Sequence, residues 1–187
     1  DGYGGVATSK RNNIFIKFTH IKKFNNDFIQ YILIKISDLY IVNIYASSNH
    51  NVSSQMLESI YSDIPDSSIL MGDLNSHYPI WDESPVNTGG KAINDFILGR
   101  DIVVMNDGTA TLFQPLDHNT SSIDITLVSS NLAASSAWCV LPDCGNSDHF
   151  PTLLQTYSNF NYPLSEDFIL KPFTARNFHK ADWSLFY

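Results

Sequence analysis

The tetrapeptide Gly72-Asp73-Leu74-Asn75 follows the apolar run Ile69-Leu70-Met71, so a carboxylate and a carboxamide stand where a strand gives way to a loop. Side chains two apart on an extended backbone share a face, and that spacing lets Asp73 and Asn75 address one substrate together. Such a pair suits phosphodiester chemistry. Three further segments carry reactive groups at strand ends: Tyr45 closing an apolar run, Ser122-Ile123-Asp124-Ile125-Thr126, and Ser147-Asp148-His149-Phe150-Pro151. A carboxylate can align or deprotonate water, an amide and a protonated imidazole can hold phosphate oxygens, and a second carboxylate can orient that imidazole. With Asp73 and Asp148 about 4 Å apart, their repulsion at an effective dielectric of 20 is roughly 4 kcal/mol. Such a pair calls for a cation, and oxygen donors favour Mg²⁺ or Mn²⁺ over zinc.

Each residue taken singly has a plainer reading. Asp73 and Asn75 fit a turn, Tyr45 a rim aromatic, His149 a hydrogen-bonded structural histidine, and Asp148 a loop cap. Asp124, set in an apolar strand, is harder to explain away, because an unpaired buried charge is costly. Together, in this order, the four segments point to a site.

The elements that must position them alternate between strands and helices. Gly4 to Thr8 and Ile14 to Phe18 read as short strands about the polar turn Lys10-Arg11-Asn12-Asn13. Phe28 to Ile36 and Leu39 to Tyr45 form a hairpin at Ser37-Asp38. Ser53-Ser54 caps a helix bearing Met56, Leu57, Ile60 and Tyr61, and Pro65 ends it. Thr88 to Leu98 has helical spacing, with Gly99 as its stop. Ile102 to Met105, Ile123 to Val128, Trp138 to Leu141 and Phe150 to Leu154 are further strands. The pattern is α/β, with sheets packed on each other and helices outside. Gln114 to Ser121 reads as a hairpin whose tip holds Asp117, His118 and Asn119. Residues 1–157 form the domain, and residues 158–187, interrupted by Asn and Pro, read as a linker.

The 187 residues, 43% hydrophobic and 16% charged, suit one globular domain. A net charge of −8 excludes a broad basic grip on nucleic acid, but a metal-assisted active site gathers carboxylates and is compatible with it. Lys10-Arg11 and Lys22-Lys23 are the basic doublets. Cys139 and Cys144 are too few for a disulfide framework and read as reduced, buried thiols. No apolar run reaches the roughly 20 residues of a membrane helix, and no leader pattern is present. The chain therefore reads as soluble and intracellular.

These motifs resemble the endonuclease/exonuclease/phosphatase superfamily, and in detail the apurinic-type endonuclease domain of non-LTR retrotransposons. Asn75-Ser76-His77-Tyr78-Pro79-Ile80-Trp81 resembles that family's Asn-Ala-His-x-x-x-Trp segment, Asn87-Thr88-Gly89 its following turn, and Lys180-Ala181-Asp182-Trp183 the approach to its reverse transcriptase. The resemblance implies a four-layer sandwich of two β-sheets flanked by helices. It implies hydrolytic, Mg²⁺-dependent nicking of target DNA that leaves a 3′-hydroxyl to prime reverse transcription, in a polyprotein with retrotransposon RNA and a reverse transcriptase as partners, and nuclear in its parent form. By resemblance, Asp73 activates water, Asn75 and His149 bind the scissile phosphate, Asp124 orients His149, Tyr45 contacts phosphate, and Asp148 binds metal.

Two departures accompany it. Ala46-Ser47-Ser48-Asn49 lacks the family's Pro-containing turn, so Asn49 fills the expected Asn role only if the loop shifts. The family's first strand and its Gln-Glu segment, source of the main metal-binding glutamate, have no counterpart, so the domain is expected to lack its leading portion. Two other functions stay open: an inactive remnant keeping only a binding surface, and a phosphodiesterase of lipid head groups.

Overall fold

The computed structural model describes residues 5–10, 18–62, 64, 67–114 and 119–156. Strands β1 (Phe18–Asn25), β2 (Ile29–Ile36) and β3 (Leu39–Ala46) form an antiparallel meander, turned at Ser37, whose φ is 54°. Helix α1 (Ser54–Tyr61) then starts where Ser53 Oγ accepts the Met56 amide at 3.3 Å, and carries the chain to β4 (Ser68–Asp73), which lies parallel to β3. A parallel neighbour needs such a crossover, because no tight turn reverses the chain twice.

Helix α2 (Thr88–Leu98) and the short β5 (Ile102–Val104) come next, followed by the hairpin β6 (Leu112–Gln114) and β7 (Asn119–Ser121). Strand β8 (Asp124–Ser129) inserts between β4 and β5, giving the order β1-β2-β3-β4-β8-β5. After α3 (Ser130–Ala133), β9 (Ser136–Val140) and β10 (Thr152–Thr156) pair as a separate ribbon.

Strand alternation gives the six-stranded sheet two apolar faces. On one, Val42, Ile44, Leu70, Ile125 and Leu127 meet Leu57 and Ile60 of α1 and Ile93 and Phe96 of α2. Each fully buried aliphatic side chain there is worth about 1.5–3 kcal/mol. On the other, Leu39, Ile69 and Val128 meet Leu132 and Leu154, and the Trp138 indole donates from β9 to Thr126 Oγ1 at 3.1 Å. Helices, main sheet and ribbon are layers of the expected α/β sandwich. Among the described residues no helix is long and apolar enough to cross a membrane.

Several local expectations change. Residues 5–10 form no strand; the Asn43 side chain instead donates to Ala7 O at 2.9 Å and Thr8 Oγ1 at 3.3 Å, a polar tether in place of a ladder. Strand β1, which the sequence pattern did not announce, is the sheet edge, bulged between His20 and Lys22. Its lysines and bulge are what an unpaired edge requires. Cys139 is exposed, not buried, because alternation along β9 turns it outward, and neither cysteine is in a disulfide. The expected strand at 14–17, the stop at Pro65, the hairpin tip at 115–118 and the linker at 158–187 lie outside the described residues.

Candidate active site

Three adjacent strands bring the first candidates into a row. Tyr45 of β3 is in register with Asp73 of β4, which is in register with Asp124 of β8. Each shares its strand parity with residues turned from the helices, so all three fall on the sheet face opposite α1 and α2. Gly72 allows this registration. A Cβ there would stand 1.8 Å from Ile44 O, and its φ of 149° is one that side chains rarely accept.

Asp73 titrates well above the carboxylate range, at about 6, first because it is buried and then because Asp124 carries like charge beside it. The Asn75 amide, donating to Asp73 Oδ1 at 3.1 Å, and the nearby His149 pull the other way without cancelling the rise. His149 Nδ1 meets Asp124 Oδ2 at 2.8 Å, and this hydrogen bond is the main reason the imidazole holds its proton more tightly than usual. Asp124 thus serves two neighbours, favouring charge on His149 and opposing it on Asp73.

That differs from the expected Asp73–Asp148 pair. The like charge acting on Asp73 is Asp124, while Asp148 is exposed and acts on His149. Sequence order puts Asp148 next to His149 but says nothing of the β4–β8 register.

Asn75 also reaches the site by another route than strand alternation. β4 ends at Asp73, and Asn75 has left-handed backbone, φ 45°, which Asn tolerates better than most residues. Its Nδ2 donates to Ala46 O at 2.8 Å, and its carbonyl accepts from Asn87 Nδ2 at 2.9 Å. Asn87 also caps α2 through Gly90 N at 2.8 Å and accepts the His77 amide at 3.1 Å. Trp81, fully buried, donates from its indole to Ser76 O at 2.9 Å, so it braces the loop and touches no reacting group in this arrangement. Asn49, exposed in the turn after β3, bonds locally to Ser47 Oγ and does not enter the row.

The His149 loop is tied down by β6. Phe113 N donates to Asp148 O at 2.8 Å, Phe150 N donates to Thr111 O at 2.7 Å, and Leu112 bridges to His149. Thr111 and Asn106 were not foreseen. Thr111 Oγ1 accepts the amides of Ile123 and Asp124 at 3.1 and 3.0 Å. Asn106 donates to Asp124 O at 2.9 Å and to Ser122 Oγ at 3.0 Å, and accepts Thr126 N at 2.8 Å. Both hold the start of β8, hence Asp124, through backbone groups. The Asn106-Asp107-Gly108 turn after β5 is the sequence signal that marks one of them. Asp82 was missed as well: it pairs with His77 Nδ1 and accepts Ser122 N at 3.1 Å.

The row can supply a base ionising near pH 6, a cationic donor fixed by a carboxylate, and an amide held between strands. That is equipment for water attack on a tetrahedral phosphorus. The repulsion between Asp73 and Asp124 suits a nearby cation, but among the described residues no three His, Cys, Asp or Glu side chains gather to hold one.

Residues 39–153, more than half of the chain, match the profile of the endonuclease-reverse transcriptase family. In three dimensions the chain is similar to the endonuclease domain of TRAS1, a telomere-specific non-LTR retrotransposon, with a TM-score of 0.62 and 15% identity over 76% of this chain and 68% of that one. It is also similar to the 3′-5′ exonuclease NExo from Neisseria meningitidis, with a TM-score of 0.54 and 13% identity over 67% of this chain and 64% of the exonuclease. No curated protein matches it. At these identities the structural likeness is one of fold.

Proposed function

Given that this chain belongs to the endonuclease-reverse transcriptase family, we propose that its site hydrolyses a DNA phosphodiester, as the nicking endonuclease of a non-LTR retrotransposon. The observation that carries the reading is the row Tyr45–Asp73–Asp124, with His149 hydrogen-bonded to Asp124 and Asp73 poised at about 6. A general base works best when its own titration lies near the working pH.

In this reading Asp73 aligns an attacking water and takes its proton as the P–O bond forms. Asn75 and protonated His149 hold the non-bridging oxygens, Tyr45 contacts the same phosphate, and Asp124 keeps the His149 ring oriented. The bond to the 3′-oxygen breaks, leaving a 5′-phosphate, and that oxygen takes a proton from solvent water to become the 3′-hydroxyl that primes reverse transcription. Dependence on Mg²⁺ or Mn²⁺, with Asp148 as a ligand, enters from family membership, and no step here is routed through the ion. The parent protein is then a polyprotein carrying a reverse transcriptase, acting on nuclear DNA beside its element's RNA.

The test is nicking of supercoiled plasmid with and without a chelator, by this chain and by Asp73→Ala. The expected result is metal-dependent nicking, lowered about 10²-fold or more in the variant. Nicking retained by Asp73→Ala would remove its assigned role. The remnant reading predicts DNA binding without nicking.

A further inference from the structure

Beside Asn75 lies a cavity of about 520 Å³, lined among others by His77, Ser84, Leu112, Ser121 and Ile123, within the usual range of ligand sites. We propose that this cavity is a second phosphate subsite for the same DNA strand, with His77 as its positioning residue, an inference that rests on the nuclease reading above.

Charge makes the first argument. Among the described lining residues His77 is the only ionisable one, and none of them is a carboxylate. Hydroxyls of Ser84, Thr120 and Ser121 add donors, while Leu112 and Ile123 add apolar wall. Asp82, the carboxylate that holds His77, has a side chain only 5% exposed and is not among the lining residues. An anion entering this space therefore meets hydroxyls and an imidazole, and no opposing charge among the described lining residues.

Preorganisation makes the second. His77 Nδ1 is taken by Asp82, whose other oxygen is fixed by the Ser122 amide at 3.1 Å, so Nε2 is the nitrogen left for a ligand. The backbone is fixed too: its amide donates to Asn87 Oδ1 at 3.1 Å, and a Cβ on Gly90 would stand 1.9 Å from its carbonyl oxygen. The ring nevertheless remains 26% exposed. A histidine needed only for packing is not held by ring and backbone while facing a polar cavity.

Reach makes the third. His77 follows Asn75 by two residues, at most about 7 Å of chain. Successive phosphates on one strand advance about 3.4 Å along the helix axis. A phosphate one or two nucleotides from the one bound at Asn75 is thus the natural occupant.

The experiment uses the chain with His77→Gln, which removes the imidazole, and His77→Lys, which supplies a cation in its place. Binding of a short DNA duplex is followed by fluorescence anisotropy from low to moderate salt at pH 6. Losing one phosphate contact lowers the slope of log affinity against log salt by about 0.9. The expected result is that drop in His77→Gln, a KM for nicking raised about 5-fold or more with kcat within about 2-fold, and recovery of the slope in His77→Lys. An unchanged slope and KM in folded His77→Gln would overturn the subsite. So would equal losses of binding and melting temperature in both variants, which would make His77 structural. Failure of the unsubstituted chain to bind DNA would instead remove the nuclease reading, and this inference with it.

Discussion

Two histidine–aspartate pairs flank the segment Ser122-Ile123-Asp124, and they divide the work of a carboxylate differently. In His149–Asp124 the acid sits on a sheet strand and the base on a loop, with side chains 20% and 33% exposed. The Asp124 carboxylate pairs with His149, and its charge acts on both His149 and Asp73. In His77–Asp82 both partners belong to one loop, and Asp82 gives one oxygen to His77 and the other to the Ser122 amide. The first pair sets protonation where a phosphate would sit; the second ties a loop to β8. Identical pairing chemistry therefore carries different duties, decided by where each carboxylate sits and which neighbour it meets.

The comparison breaks most readily at His149. His149→Ala is expected to slow nicking about 10²-fold or more, whereas Asp124→Asn, which keeps shape and removes charge, should slow it less. In Asp124→Asn the His149 titration, followed by NMR, should fall toward the ordinary imidazole value. A larger loss in Asp124→Asn than in His149→Ala would end the orienting role.

Asp73 offers the next effect, with a sign opposite to most active-site losses. Its titration is raised from 3.8 to about 6 in the folded chain, so the fold holds this proton more tightly than the unfolded chain does. The resulting stability is present below about pH 4 and is lost as pH rises through 6. Asp73→Asn should therefore raise stability at pH 8 by on the order of 2 kcal/mol, about 4–8 °C in melting temperature for a chain of this size, with little change at pH 4. The acid limb of kcat/KM should fall near pH 6 in the unsubstituted chain.

Asp82→Ala sharpens the second pair. It leaves the buried Ser122 amide without its acceptor and should cost about 1–3 kcal/mol, visible in urea unfolding. Thr111→Val, which removes the acceptor of two amides at the start of β8, should cost about 1–2 kcal/mol. A neutral Thr111→Val would mean that water replaces the hydroxyl.

How much of this was legible in sequence follows from which part of a residue does the work. Asp73, Asp124 and His149 could be read because their side chains are rare choices at strand ends. The hairpin β2–β3 and both capped helices, α1 and α2, could be read because apolar period and cap residues are local signals. Strand β1 could not, since an edge strand with Lys22 and Lys23 carries no two-sided apolar pattern. Thr111 could not, because it acts through hydrogen bonds to backbone amides more than ten residues away, and the turn at Asn106 signals a loop but not its bonds to β8. The Asp73–Asp124 contact needed the antiparallel register of β4 and β8, which composition does not encode.

One acceptor atom, Asn87 Oδ1, takes both the His77 amide and the Gly90 amide. Fraying of the first turn of α2 and release of the loop beside Asn75 are therefore a single opening event. In native-state hydrogen exchange the two amides should show the same opening free energy and the same response to urea, so the site loop inherits the persistence time of a helix.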